Sequence, residues 1–81
     1  MQALRVKINE IDKEIALLFN ERFKVVKEIK AYKVKHNLPI TDELREKAII
    51  KDNLAYIDEE FKQYFLMFYE TLISLSKESQ Q

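Results

Sequence analysis

The sequence predicts an all-α fold of three helices, one long and two shorter, and three features of its 81 residues carry that prediction. There is no glycine and only one proline, Pro39, so long stretches run without a residue that breaks a helix. Apolar residues recur at alternating spacings of three and four, the period of a helix that buries one face. N-cap signals with acidic first turns stand at Thr41 or Asp42 and again at Asp58, where the second and third helices should begin.

Composition narrows the classes of function. Residues 1–81 are expected to form one small domain, and the absence of cysteine excludes disulfides and thiolate metal sites. Hydrophobic residues make up 47% and charged residues 35%, the mix of a soluble helical protein, and no apolar run of about 18 residues offers a membrane span. The amino terminus alternates charged with apolar residues instead of presenting the continuous apolar core of a signal peptide, so the cytoplasm is the expected location. Net charge is zero but unevenly placed: residues 1–35 carry nine Lys and Arg against five Asp and Glu, and residues 36–81 carry five against nine. The basic residues are interleaved with acids and some lie on the apolar stripe, which argues against a nucleic-acid-binding arm.

The first helix is expected from Ala3 to about Lys35, with a seam of Leu4, Ile8, Ile11, Ile15, Leu18, Val25 and Ile29. Continuing the count puts Arg22 between Leu18 and Val25, and Lys33 four residues beyond Ile29. At about 100° per residue the two cations point within about 20° of each other, roughly 16 Å apart along the axis. Two readings fit them. Either they snorkel past the seam to water, or they line a pocket that receives an anion, since buried charges are paired or functional. A helix of about 33 residues is a rod of about 50 Å, longer than the roughly 30 Å of a compact chain this size. Its seam is apolar throughout, so a second copy of the chain is the expected cover, in a homodimer.

Lys33, Lys35 and His36 suit the negative end of the helix dipole, and Asn37 is the expected stop. His36 is the lone histidine and reads as a solvent-facing helix-end residue. A connector, Asn37 to Ile40, carries Pro39. The second helix should run from its cap at Thr41 or Asp42 to about Ala55, with Asp42, Glu46 and Asn53 among Ile49, Ile50 and Ile57 on one side and Arg45 at the edge. These polar groups either belong to a site or serve as a cap and as i, i+3 or i+4 pairs.

Tyr56 and Ile57 form a second connector, and Asp58 with Glu59 and Glu60 opens a third helix to about Ser79. Its main stripe is Phe61, Phe65, Phe68, Leu72 and Leu75, beside a ridge of Phe65, Tyr69, Leu72, Ser76 and Gln80. Ser76 and Gln80 share one face a turn apart, either in a site or as the frayed end of the last helix.

Cations, a carboxylate, a serine and an amide thus fall on core-facing positions of three helices, with no nucleophile–base pair, metal set or glycine-rich phosphate loop. That inventory suits a polyanionic small molecule and a reaction that needs charge stabilisation without covalent or metal chemistry.

At these residues the chain resembles the all-helical class of chorismate mutases. The likeness runs from Leu4-Arg5-x-x-Ile8 and Ile11-Asp12 through Glu21-Arg22 and Tyr32-Lys33 to the connector Asn37-Leu38-Pro39-Ile40-x-Asp42-x-x-Arg45-Glu46, and closes with Leu75-Ser76-Lys77-x-x-Gln80. The connector and the closing Ser-x-x-x-Gln are its specific parts.

The resemblance implies an intertwined homodimer that converts chorismate, a dianion, to prephenate by a [3,3] rearrangement in aromatic amino-acid biosynthesis, with no cofactor. It implies that Arg22 clamps one substrate carboxylate and that Arg5, reaching across from the partner chain, clamps the other. Lys33 and Gln80 would hydrogen-bond the ether oxygen, Glu46 with the backbone around Asp42 would hold the ring hydroxyl, and Arg45 and Ser76 would complete the carboxylate side. Two rivals remain at this level: an isochorismate pyruvate lyase on the same fold, and a non-catalytic helical interaction module.

Overall fold

The structure is a computed structural model that describes all of residues 1–81. It is all-helical, with α1 at Gln2–Lys35, α2 at Glu43–Leu54, a short 3-10 turn at Glu59–Phe61, and α3 at Lys62–Ser79. The three expected helices are present, α1 and α2 within a residue or two of their expected ends and α3 starting about three residues later than expected. None is long and apolar enough to cross a membrane.

The ends of α1 and α2 follow from local chemistry. His36 caps α1, and Asn37 adopts φ 55°, the left-handed conformation that asparagine tolerates better than most residues. The Leu38 N–H then donates to the Lys33 carbonyl at 2.8 Å and the Asn37 N–H to the Val34 carbonyl at 3.4 Å, the paired bonds of a Schellman motif. This reversal turns the connector back along α1. At the start of α2 the Asp42 carboxylate accepts from the Arg45 N–H at 3.1 Å, which settles the cap on Asp42 rather than Thr41.

Asp58 departs from expectation. Its side chain makes no capping bond, and its carbonyl accepts from the Phe61 N–H at 2.9 Å. Residues 59–61 form a 3-10 turn before α3 begins, a common way of tightening a helix entrance. Acids that suit the first turn of an α-helix suit a 3-10 turn equally well.

Packing is centred on α3. Both α1 and α2 approach its backbone, and they do not approach each other's. Along the packed half of α1 the buried apolar residue is Val26, at 8% exposure, whereas the expected seam residue Val25 is 51% exposed. The two point about 100° apart, and the contacts of Arg22 with α3 rotate α1 so that Val26 lies inward. On α3 the ridge Tyr69, Leu72, Ser76 and Gln80 is buried, while Phe61, Phe68 and Leu75 of the expected main stripe are exposed. The polar end of the ridge meets the cations of α1, and this pairing decides which of two adjacent faces turns inward.

The other half of α1 is an arm. Every residue from Met1 to Glu21 is exposed, including Leu4, Ile8, Ile11, Ile15 and Leu18 of the seam. The molecule measures 52 × 25 × 16 Å, its long axis matching the rod of α1, and its radius of gyration is 15.4 Å against about 12 Å for a compact chain of this length. Covering the open half of a Leu or Ile side chain is worth about 1 kcal/mol, so those five residues hold roughly 5 kcal/mol of uncollected burial.

Candidate active site

Because α1 and α2 flank α3 without meeting, a gap of about 160 Å³ is left between them, bounded at the connector by Ile40. Its apolar lining is Ile29, Ile40, Ile49 and Ile73, and every other wall residue is polar or charged.

From α1 come Arg22 and Lys33. Both are half-buried. The Arg22 guanidinium donates through Nη1 to the Ser76 hydroxyl, and its central carbon lies 5.9 Å from the centroid of the buried Tyr69 ring, a cation–π contact. Lys33 Nζ donates to the Ile40 carbonyl at 2.8 Å and to Gln80 Oε1 at 3.4 Å. The Schellman reversal is what brings that carbonyl within reach. Neither cation runs out to water, so the snorkelling reading does not hold.

From α3 come Ser76 and Gln80, only 6% and 8% exposed. The Ser76 hydroxyl donates to the Leu72 carbonyl at 2.8 Å while accepting from Arg22. Gln80 Nε2 donates to the Ser76 carbonyl at 3.1 Å. An end tied down in this way is not frayed. Each polar side chain here is held by its own helix on one side and by α1 on the other.

From α2 and its cap come Asp42, Arg45 and Glu46. Asp42 has a double task, because its Oδ1 caps the helix while the residue also lines the gap. Arg45 is exposed at the rim and has no ion-pair partner. Glu46 is half-buried and its Oε1 pairs with Lys77 Nζ at 3.0 Å. Asn53, placed on this face by the sequence pattern, is half-buried elsewhere and does not line the gap.

Seven of the eight residues singled out in the sequence therefore surround one cavity: Arg22, Lys33, Asp42, Arg45, Glu46, Ser76 and Gln80. Arg5 does not. It is exposed on the arm, 17 residues before Arg22, about 25 Å away along the helix. The sequence reading passed over Lys77, whose cue was its place beside Ser76, within reach of Glu46 on α2. With it the wall holds four cations and two carboxylates, a balance of plus two.

The chemistry on offer is binding and charge stabilisation. Ser76 has no base beside it, since its hydroxyl is engaged by Leu72 and Arg22. His36 lies outside the cavity, with its ring 4.2 Å from that of Tyr32. No three His, Cys, Asp or Glu side chains come together as a metal set. A larger hollow of about 700 Å³ beside Phe23, Lys27 and Val34 offers lysines without a carboxylate, and it brings together none of the seven.

No curated protein and no solved structure matches the chain. The family model for chorismate mutase type II matches residues 4–81, nearly the whole length. The chain belongs to the type II chorismate mutase family.

Proposed function

We propose that the chain is a chorismate mutase that rearranges chorismate to prephenate in aromatic amino-acid biosynthesis, working without a cofactor as an intertwined homodimer. The observation that carries this reading is a single cavity with seven matching side chains and an excess of two positive charges, suited to a dianion.

The reaction breaks the ether C–O bond as a C–C bond forms between the enolpyruvyl methylene and the ring, with no proton or electron entering or leaving. Two things lower its barrier. The flexible arm must be folded over the ring, and negative charge that builds on the ether oxygen must be met by donors. Arg22 clamps one carboxylate, with Ser76 holding the guanidinium and Arg45 at the rim completing that side. A guanidinium fork suits this task because it pairs with a carboxylate through two parallel bonds.

Lys33 and Gln80 serve the ether oxygen. A lysine ammonium has three N–H donors, and two of those of Lys33 are taken by Ile40 and Gln80, so the third is directed by the other two. Gln80 likewise has one amide N–H taken by Ser76 and one remaining. Two fixed donors converging on one oxygen favour the transition state, where that oxygen is most negative, over the ground state. Glu46 and the backbone around Asp42 hold the ring hydroxyl.

The second carboxylate is left to Arg5 of the partner chain. Support comes from the uncovered arm: its five exposed seam residues need a cover, and a second copy lying along them would carry each Arg5 toward the other chain's cavity. Incubating the purified protein with chorismate should consume it and yield prephenate. Salicylate and pyruvate from isochorismate would instead identify a lyase, and inertness toward both, with full tolerance of Arg22→Ala, a non-catalytic module.

A further inference from the structure

The reading above assigns no task to Lys77. Its Nζ lies 3.0 Å from Glu46 Oε1, the side chains are 33% and 25% exposed, and both residues line the cavity. A lysine in the last turn of α3 that only answered the helix dipole would extend into water. This one bends toward α2, to a carboxylate 31 positions away.

The contact takes one oxygen of Glu46 and leaves Oε2 with no protein partner. A glutamate held at one oxygen has lost most of its rotamer freedom before a ligand arrives, and an ionised carboxylate only accepts hydrogen bonds. A group that meets Oε2 must therefore be a donor.

We propose that Lys77 is a positioning residue that fixes Glu46 so that Oε2 faces the substrate's ring hydroxyl, and that the pair thereby selects substrates carrying a donor at that carbon. The inference rests on the mutase reading and adds to it a residue and a basis of selectivity. An ion pair between α2 and α3 also pins the two helices together, and the test must separate the two effects.

The experiment measures kcat and KM for the intact protein and for Lys77→Met and Lys77→Arg, on chorismate and on an analogue with hydrogen in place of the ring hydroxyl. For a partly exposed pair, Lys77→Met should lower kcat/KM on chorismate about fivefold and change it less than about twofold on the analogue, and Lys77→Arg should restore most of the loss. In a Glu46→Ala background the Lys77→Met change should cost nothing further. Equal losses on both substrates would overturn the proposal and leave only helix pinning, and no loss on chorismate would overturn it outright. An intact chain inert toward chorismate would instead overturn the mutase reading, and the hydroxyl-selecting role with it. Should Lys77→Met fail to fold by circular dichroism, Lys77→Ala, a strong helix former with no donor, gives the same contrast.

Discussion

The two halves of α1 share one helix, one period and one face, yet they have opposite surroundings. From Leu4 to Leu18 the face is purely apolar and exposed along its whole length. From Arg22 to Lys33 it carries two cations and is seated on α3, where each cation is hydrogen-bonded. Apolar residues are interchangeable cover and ask only for another apolar surface. Buried cations need particular partners at particular distances, and in α1 they mark where the helix borders the cavity. In the proposed function the arm serves assembly and the seated half serves catalysis.

Substitutions in the two halves should then fail in different ways. The largest effect falls on the seated half: Arg22→Ala and Lys33→Ala should each lower kcat/KM by about a hundredfold to a thousandfold, the usual loss for a charge-stabilising donor. Helix content by circular dichroism and the sedimentation coefficient should stay unchanged. Activity kept in either variant would remove that residue from the site.

In the arm the effect moves to assembly. Ile11→Lys or Ile15→Lys puts a charge into the proposed dimer seam and should destabilise the assembly by about 2 to 4 kcal/mol, read as a shift to smaller species in sedimentation and a lower Tm. Activity should fall with dissociation and recover as protein concentration rises. A variant that stays dimeric and fully stable would mean that the arm's face is not the interface.

A smaller, pH-dependent effect is expected at Gln80, where the arrangement is tight. An ionised glutamate in its place would draw Lys33 toward itself and could not donate, whereas a protonated one keeps a donor. Glutamate is protonated only below its pKa, near 4.3 when unperturbed, so the rate of Gln80→Glu should fall as pH rises through the acidic range. A rate that stays flat from acid to neutral pH would show that the amide does not serve the reacting oxygen.

Much of this architecture is legible in the residues alone, because helix ends are local. Asn37 stops α1 and Asp42 caps α2 through bonds that span three to five residues. The choice between adjacent faces is not local. Val25 and Val26, or the Phe68 and Tyr69 sides of α3, differ by one residue in a pattern that repeats every 3.6, and only the tertiary pairing of Arg22 with Ser76 selects between them. The same limit applies in the site. Arg22 and Lys33 stand out because they interrupt an apolar stripe, whereas Lys77 interrupts nothing and its partner is distant in sequence. Asp58 shows a third limit, since its acids fit two kinds of helical turn.

The proposed division of α1 into an arm that assembles and a half that catalyses is tested most directly with mixed dimers of Arg5→Ala and Arg22→Ala. Each variant alone should be nearly inactive, because both of its cavities lack one arginine. In a mixed dimer the chain bearing Arg5→Ala keeps its own Arg22 and receives Arg5 from the other chain, so one cavity is whole and the other lacks both. Unfolding and refolding the two together should restore activity to about a quarter of the unmodified protein's at random pairing, since half the dimers then hold one working site of two. Verified mixed dimers as inactive as their parents would contradict the account, because Arg5 would not act across the interface and the arm would not be placed against its partner's cavity.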